Sequence, residues 1–214
     1  TFLAGRTNEL STMDSVEAKL HRSMSEIDAT LWRSCFGNSD PFLSWDFLHG
    51  LEASGCTTTE SGWQPAHLSV ELSGEPAGMM PTYLKTHSYG EYVFDWSWAD
   101  AWQRMGLRYY PKLVTAVPFT PATGQRLGHV DHHNIRVPAI VEAVKGLTDS
   151  LGVSSWHVLF LDEVSSTQLC DCDMPQRLTT QFHWFNQGYR DFQDFLDRFS
   201  SRKRKNLRRE RDRI

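Results

Sequence analysis

The feature that most constrains the fold is a pair of extended apolar runs separated by a tight turn. Residues 66–72 alternate apolar and polar side chains, which is the period of a strand with one buried face. Gly74-Glu75-Pro76 interrupts the pattern, and a second extended run follows over residues 79–85. Two such runs joined by a short turn predict an antiparallel hairpin, so we expect the chain to build a sheet.

Helical patterns precede and follow this hairpin. Ile27, Leu31 and Cys35 recur at helical spacing, and a second helix is predicted between Asp40 as its N-cap and Gly55 beyond its end. Further helices are predicted after Ser97, over residues 140–151 and 163–170, and from Phe192 to Phe199, with strands over residues 112–119, 156–160 and 178–185. Strands joined both by a hairpin and through helices indicate an α/β (α+β) fold in which helices cover a mixed sheet.

The ordered domain is expected to span residues 25–200. Residues 1–24 are polar and weakly periodic, so they are interpreted as a disordered leader. A length of 214 residues with 40% hydrophobic side chains supplies one sizeable core. Because the first residue is Thr1 and the last stretch is strongly basic, we expect the chain to be a fragment of a longer protein.

Composition argues against membrane-spanning, secreted and zinc-binding classes. No apolar run approaches the roughly 18 to 20 residues that span a bilayer, and no secretion signal precedes the domain. Cys35, Cys56, Cys170 and Cys172 form no CxxC pair, which predicts reduced thiols. The expectation is a cytoplasmic protein with no metal site and no tightly bound cofactor.

Residues 83–119 contain ten aromatic side chains, the densest concentration in the sequence. Among them lie the ionisable residues Lys85, His87, Glu91 and Asp95, the last of these next to Trp96. Ionisable groups between apolar walls acquire shifted pKa values suited to proton transfer, and such residues are candidates for a polar binding cleft. The alternative is structural, with Asp95 capping the next helix and Glu91 paired with Lys85. Both interpretations stay open.

A second candidate region begins at Tyr110 and Lys112. These residues lead into a proline-rich loop over residues 117–126 that displays Thr120 and Arg126, and loops at strand ends often bind ligands. Arg126 would hold a carboxylate or phosphate through two hydrogen bonds. The alternative is an ordinary turn with a solvated arginine.

Histidines supply a third set of candidates. His183 shares the polar face of a predicted strand with Gln181, which makes both candidates for substrate binding, although a lone strand histidine is more often structural. His129, His132 and His133 lie in a polar loop without the ligand spacing of a designed metal site. The sequence also contains no nucleophile elbow, P-loop or dinucleotide-binding glycine motif.

The end of the chain is strongly basic. Residues 202–214 hold eight Lys or Arg against two acids, so they contribute +6 to a net charge of −4 and the remainder carries −10. Helix-forming residues predict one helix over about residues 190–213, poorly packed beyond Ser200. Three interpretations stay open: a solvated helix face, a phosphate-contacting helix, or a connector whose charges pair with an acidic second lobe.

Seven short motifs stand in a consistent order between Trp32 and Arg211. They are Gly62-Trp-Gln-Pro65, Pro81-x-Tyr-x-Lys-x-His-Ser88, Gly90-Glu-Tyr-Val-Phe-Asp-Trp96, Tyr109-Tyr-Pro-Lys112, Pro118-Phe-Thr-Pro121, Gln181-Phe-His-Trp184 and Arg202-Lys-Arg-Lys205. Taken together they resemble the FemAB-like family of the GNAT acyltransferase superfamily. The resemblance implies a GNAT-like fold, in which helices flank a mixed and mostly antiparallel sheet.

The resemblance also implies two such lobes in tandem, with this chain as the first lobe and residues 201–214 as a basic helical connector to the second. It implies an N-acyltransferase that transfers an acyl or aminoacyl group to an amine of a cell-wall precursor. The donor would be acyl-CoA or aminoacyl-tRNA, so a tRNA is a possible partner beside the second lobe and the small-molecule or cell-wall precursor substrate.

The resemblance does not assign a catalytic residue. His87, Glu91 or Asp95 would accept a proton, and Lys112 or Arg126 would offset charge. The pyrophosphate-binding loop of ordinary GNAT enzymes is not matched, because Gln125-Arg-Leu-Gly128 leads only to His129. The rival hypothesis is therefore a non-catalytic recognition or scaffolding lobe that binds a cell-wall or anionic ligand.

Overall fold

The structure is a computed structural model that describes residues 16–130 and 137–213. The first part of the predicted leader, residues 1–15, lies outside the described residues, as do His132 and His133. Contacts divide the chain into a first unit, residues 1–177, and a second unit, residues 178–214. The first unit ends at Arg177, whereas the domain predicted from the sequence extends to residue 200.

The strands of the first unit form two four-stranded sheets. The strands are β1 (Val16–His21), β2 (Gln64–Pro65), β3 (His67–Leu72), β4 (Glu75–Met80), β5 (Thr82–Lys85), β6 (Lys112–Thr115), β7 (Gly128–His129) and β8 (Trp156–Val158). Their order is β1-β3-β4-β7 in one sheet and β2-β5-β6-β8 in the other. All strand pairs are antiparallel except β6 with β8, which confirms the mixed, mostly antiparallel sheet. The predicted hairpin forms from β3 and β4, but its second strand begins at Glu75, inside the predicted turn, and residues 82–85 belong to the other sheet.

The two sheets are joined by continuous chain. Ala66 links β2 to β3 and Pro81 links β4 to β5, so the same two segments run through both sheets. The backbone N–H of Ala66 donates to the carbonyl of Thr82 at 3.0 Å, so the two segments stay hydrogen-bonded where the chain passes from one sheet to the other. Strand β5 is therefore fixed by the hairpin on one side and presents its end, Lys85, to the neighbouring strand β6.

Helices cover the sheets and complete the core. They are α1 (Ala29–Phe36), α2 (Trp45–Ala53), α3 (Trp96–Arg104), α4 (Val137–Leu151) and α5 (Glu163–Cys170) in the first unit, and α6 (Phe192–Asp197) and α7 (Ser201–Arg211) in the second. Helix α4 buries Ile140, Val141 and Val144 against Leu68 and Val70 of β3. Its apolar stripe recurs at the helical period, which explains why the sequence pattern predicted it.

Two predicted helix starts are shifted in the structure. Asp40 caps only a short 3-10 turn, Pro41–Leu43, and Ser44 caps α2 through a bond from the backbone N–H of Phe47. Helix α3 begins at Trp96, and Asp95 occupies its N-cap position without making a side-chain capping bond. The carboxylate of Asp95 is engaged elsewhere, as the candidate site shows.

Part of the predicted leader is folded. Residues 16–21 form β1, which pairs with β3 from Val16 opposite Leu72 to His21 opposite His67. The side chains of Val16, Ala18 and Leu20 pack against the core under α4. The prediction of disorder for residues 16–24 is therefore wrong, because β1 pairs with β3 along its whole length and Met24 is buried in the core.

The second unit departs from both of its predicted elements. Residues 178–185 form no strand, because no strand among the described residues pairs with them and an isolated strand cannot satisfy its backbone groups. The predicted single helix over residues 190–213 is two helices, α6 and α7, separated where Ser200 adopts an extended conformation. Within this unit Trp184, Tyr189 and Phe195 pack edge-on or stacked beside the two helices.

Among the described residues, none of the helices combines the length and the apolar character needed to cross a bilayer. Cys56, Cys170 and Cys172 are free thiols.

Two glycine substitutions should change stability in opposite directions. At the buried Gly128 an added Cβ would lie 2.8 Å from the Phe36 ring and 2.9 Å from Cys35 Cβ, so Gly128→Ala should cost about 1–3 kcal/mol by overpacking. At the exposed Gly146 of α4 nothing lies within 4 Å, so Gly146→Ala should stabilise by about 1 kcal/mol through helix propensity. Urea unfolding of both variants measures the pair, and equal signs would contradict this packing of α1 on β7.

Candidate active site

The candidate site is built where β5 and β6 lie side by side. Lys85 ends β5 and Lys112 begins β6, and the two are direct cross-strand partners. Both side chains are completely buried. Two like charges placed opposite each other destabilise a sheet unless counter-ions lie between them. The loop of residues 86–95, which connects β5 to α3, supplies these counter-ions.

Lys112 is the centre of a buried ion network. Its Nζ donates to Asp95 Oδ2 at 2.7 Å, to Glu91 Oε2 at 2.9 Å and to Ser88 Oγ at 3.2 Å. An ammonium group has three protons, so each of them has an acceptor. Glu91 is 2% exposed and Asp95 is fully buried. The loop is therefore fastened to β6 at three points.

Two tyrosines extend this network, which we call the Lys112 network (Ser88, Glu91, Asp95, Tyr109, Tyr110 and Lys112). Tyr109 donates to Asp95 Oδ2 at 2.7 Å, and the hydroxyls of Ser88 and Tyr110 lie 2.7 Å apart. Asp95 is thus held by a lysine and a tyrosine together. This engagement explains why its carboxylate does not cap α3.

The two carboxyl groups of the network have opposite pKa shifts. Burial is the largest influence on both and acts to raise each pKa. For Asp95, hydrogen bonds from Lys112, Ser88 and Tyr109 outweigh burial, so its pKa lies below the usual value. For Glu91 the attraction of Lys112 offsets only part of the effect of burial, so its pKa is raised. Two neighbouring carboxyl groups with separated pKa values are typical of functional sites, and also of buried ion pairs.

Lys85 lies outside the hydrogen bonds of the network and is poorly solvated. Its Nζ donates to the carbonyl of Tyr89 at 3.1 Å and stands 3.7 Å from the centre of the Trp63 ring. Burial is the main cause that lowers the pKa of Lys85 to about 7. The negative charge of Glu91 acts to raise this pKa, and the positive charge of Lys112 acts to lower it. The Tyr89 carbonyl also accepts from Trp63 Nε1 at 3.1 Å, so it is held by two donors.

The other side of the loop faces solvent with large rings. Residues 86–98 form what we call the aromatic loop, and its exposed rings are Tyr89, Tyr92, Phe94, Trp96 and Trp98. The rings of Tyr89 and Trp96 meet edge to face at 5.5 Å, and His87 meets Tyr89 at 5.2 Å. Large exposed apolar surfaces usually mark binding sites, because leaving such rings in water is unfavourable.

Two glycines allow the aromatic loop to lie close to its neighbours. A Cβ on Gly62 would collide with His87 Nε2, so the imidazole occupies the space that the side chain of any other residue would fill. A Cβ on Gly90 would lie 2.7 Å from the Phe119 ring. Both glycines have positive φ, +70° and +78°, a conformation that other residues adopt only with strain.

Strained aromatic residues surround the same region. Tyr92, Phe119 and Phe160 have φ between 55° and 58°, which is unusual for bulky side chains. Phe119 follows β6 and Phe160 follows β8, so two of these residues stand after the carboxyl ends of the parallel pair. Ligands in open α/β sheets commonly bind beyond the carboxyl ends of parallel strands, and backbone strain concentrates at functional sites.

Some predicted site residues do not contribute to this site. Arg126 is 1% exposed, and its guanidinium donates to the backbone carbonyls of Ala122, Gln125 and Leu159 at 2.6 to 3.0 Å. The prediction that Arg126 holds a ligand anion is therefore wrong, because its guanidinium is buried and its hydrogen bonds hold the surrounding backbone together. Thr120 bonds to the carbonyl of Pro118 at 3.0 Å.

Gln181 and His183 belong to the second unit. Their side chains approach each other at 3.2 Å and are solvent-accessible. His129 lies at the edge strand β7, and burial lowers its pKa. Among residues 16–130 and 137–213, no group of three or more His, Cys, Asp or Glu could hold a metal ion.

Three residues of the site, Ser88, Trp63 and His157, were not among the candidates identified from the sequence. Ser88 and Trp63 take their roles from long-range contacts with Lys112 and Lys85. His157 of β8 packs edge-on to Tyr109 at 6.0 Å, and burial, assisted by Lys112, lowers its pKa to about 4. A search for polar residues inside an apolar strand would have found His157, which stands between Trp156 and Val158.

Comparison with known proteins gives one family match. A model of the FemAB-like family, described as peptidoglycan biosynthesis/recognition, matches residues 23–214. No curated protein matches the chain.

Two solved structures resemble it with low sequence identity. One is the aminoglycoside N-acetyltransferase AAC(6')-Iy in complex with CoA, at 10% identity and a TM-score of 0.42, covering 82% of this chain and 97% of that chain. The other is a ribosomal-protein-alanine N-acetyltransferase from Brucella melitensis biovar Abortus 2308, at 11% and 0.41, covering 80% of this chain and 99% of that chain. Such identities transfer neither a substrate nor a donor to this chain.

Removing the central cation should destabilise the protein in a pH-dependent way. Lys112→Met leaves Glu91 and Asp95 buried beside each other without their cation, and breaking one side of a buried ion pair costs about 3–5 kcal/mol. The loss should be largest near pH 7 and smaller near pH 4, where the carboxyl groups accept protons. Denaturant unfolding of wild type and variant at both pH values measures it.

The matched control for that experiment is Lys145→Met. Lys145 makes an exposed ion pair with Glu142, so its removal should change stability little at either pH. An equally small loss for Lys112→Met would contradict the central position of Lys112.

The low pKa of Lys85 predicts a second pH dependence. The pKa is about 7 in the folded protein and 10.5 for an unperturbed lysine side chain, so between these values the unfolded chain binds more protons. The free energy of unfolding should therefore rise with pH from 7 to 9, by at most about 1.4 kcal/mol per pH unit. Lys85→Met should remove this slope. Identical slopes for the two proteins in denaturant titrations would show that Lys85 has an ordinary pKa.

Proposed function

Because the chain belongs to the FemAB-like family of peptidoglycan biosynthesis/recognition, we propose that it is the acceptor-binding lobe of an N-acyltransferase. In this proposal an acyl or aminoacyl group passes to an amine of a cell-wall precursor. The observation that carries the proposal is the aromatic loop, which presents exposed rings from a backbone fastened to β6 by the Lys112 network.

The rigidity of the loop supports a binding role. Side chains that are ordered before a ligand arrives lose less conformational entropy when it binds. Asp95 fixes the loop immediately before Trp96, and the two donors to the Tyr89 carbonyl fix it at the neighbouring ring. The rings of Tyr89 and Trp96 are therefore held in edge contact before binding. This arrangement fits an acceptor whose apolar faces stack on rings.

The chemistry of acyl transfer limits which ionisable residue could accept the proton of the attacking amine. An amine attacks an acyl carbonyl only when it is neutral, so a group must receive its proton. Glu91, Asp95 and Lys112 are buried and would not reach a ligand at the surface of the loop, whereas His87 is partly exposed. Burial and the charge of Lys85 lower the pKa of His87, so its ring is neutral at pH 7. We assign the proton-accepting role to His87 within this proposal.

The donor and a second lobe complete the proposed reaction. The region beyond the carboxyl ends of β6 and β8, beside Phe119 and Phe160, is the expected approach of the acyl group. The donor in this proposal is acyl-CoA or aminoacyl-tRNA, and a second GNAT-like lobe contributes to its binding.

One observation favours a second candidate function. Lys85, Glu91, Asp95, Lys112 and Arg126 are at most 2% exposed, so these charged groups do not reach a bound molecule. A lobe with this construction recognises a cell-wall ligand through its rings and leaves chemistry to another part of the protein. The family description includes recognition as well as biosynthesis.

One experiment separates the two functions. The protein is incubated with a soluble cell-wall precursor that carries a free amine, together with acyl-CoA or aminoacyl-tRNA, and the product mass is measured. Acylated precursor supports the transferase, whereas saturable precursor binding without a product supports recognition. If calorimetry shows no precursor binding and no product forms, both proposals are wrong.

Displacing His87 without mutating it gives a specific prediction. The Cβ of Gly62→Ala would collide with the imidazole, so this variant should lose on the order of 100-fold in kcat/KM, the lower end of the usual range for a general base. Gly55→Ala is the matched control, because Gly55 also has positive φ, +77°, but has nothing within 4 Å. The control should lose stability alone.

A double variant completes the test. If Gly62→Ala acts through His87, adding it to His87→Ala should cause no further loss of activity. Additive losses would show that Gly62 affects the reaction by another route and would remove the support for His87.

A further inference from the structure

Helix α7 separates its cations onto two faces. With 3.6 residues per turn, Arg202, Lys205 and Arg209 share one face, and Arg204, Arg208 and Arg211 share another, centred roughly 130° away around the helix. We call these the outer row and the inner row. The outer row spans about 10 Å along the helix, at 1.5 Å per residue. The separation matters because the two rows have different surroundings.

The inner row packs against the rest of the second unit. Arg204 donates to the carbonyl of Phe199 at 3.1 Å, and Arg208 donates to Gln193 Oε1 at 2.7 Å. Arg211 lies 4.2 Å from the centre of the Phe192 ring. These contacts orient α7 on α6. The inner row therefore has a structural role that accounts for its presence.

The outer row has no such partners. Within residues 16–130 and 137–213, the side chains of Arg202, Lys205 and Arg209 make no hydrogen bond or ion pair, and all three are exposed. Like charges along one face repel each other and weaken the helix. Such a row is stable as a solvated face, but its cations are also available to an anionic surface.

The same unit exposes apolar side chains. Leu178 is 89% exposed and Phe182 is 99% exposed, and Trp184 and Phe185 are also largely exposed. Trp184 is held by Tyr189 and Phe195 of this unit, so it is not simply part of an unfolded end. The second unit thus combines unpaired cations with apolar groups that water does not solvate well.

We propose that the outer row of α7 and the exposed side chains of residues 178–185 bind the surface of an anionic lipid bilayer. Lipid phosphates neutralise the cations, and the boundary of the acyl chains accepts the apolar groups. Trp and Phe side chains are favourable at that boundary. A nucleic acid also neutralises cations and stacks on rings, but it offers no environment for Leu178. The combination of aliphatic and cationic groups favours the bilayer.

The test measures binding of the full 214-residue chain to vesicles by co-sedimentation. Vesicles of phosphatidylglycerol and phosphatidylcholine should bind the protein, and vesicles of phosphatidylcholine alone should not. Removing the outer row with Arg202→Gln, Lys205→Gln and Arg209→Gln should weaken binding on the order of 100-fold. The inner-row variant Arg204→Gln, Arg208→Gln and Arg211→Gln removes the same amount of positive charge. Its loss of vesicle binding should be at least about ten times smaller than that of the outer-row variant. Circular dichroism checks that its helix content is unchanged.

A further variant tests the contribution of the exposed apolar side chains to binding. Leu178→Ser with Phe182→Ser keeps every charge and should lower binding to anionic vesicles several-fold at each salt concentration. No binding to anionic vesicles would overturn the proposal, as would equal losses for the two charge variants. Tighter binding to a short RNA than to vesicles, unaffected by the serine variant, would replace the bilayer with a nucleic acid.

Discussion

The ion network around Lys112 is the interaction on which the candidate site depends. Two lysines stand opposite each other on β5 and β6, inside the protein, and this arrangement is unfavourable by itself. Glu91 and Asp95 make it possible by lying against Lys112, and both belong to the loop that connects β5 to α3. The pairing of β5 with β6 and the path of the loop therefore depend on the same ion pairs. The bond from Lys112 to Asp95 fixes the loop immediately before the Trp96 ring.

The buried and the exposed groups of the site therefore have different roles. Charges that are enclosed with their partners hold the backbone, since the cost of separating them is large in a medium of low dielectric constant. Rings that face solvent are left for contact with other molecules. The segment that was predicted from the sequence to form a single polar cleft is thus divided between buried charges, Lys85, Glu91 and Asp95, and exposed rings such as Tyr89 and Trp96.

Elements were predictable where local pattern and tertiary packing agree. The hairpin of β3 and β4 has a clear alternation, and α4 has an apolar stripe that is buried in the structure. Residues 178–185 have an equally clear alternation but no strand to pair with, and residues 16–21 have a weak one but pair with β3. Pairing depends on a neighbour that is distant in sequence. Alternation alone therefore cannot decide whether a strand forms.

The sequence by itself determined the family, the types of residue in the site and their order along the chain. It identified Lys85, His87, Glu91 and Asp95 as a set, because they are unusual among so many aromatic side chains, and it placed Lys112 in a separate candidate region. Only the tertiary structure decided that this set, except for His87, is enclosed, that Asp95 serves Lys112 rather than a helix end, and that Arg126 is sealed by carbonyl groups. Composition and spacing describe what a residue can do. Burial and partners, which come from segments far apart in sequence, select among those possibilities because they set the cost of a charge.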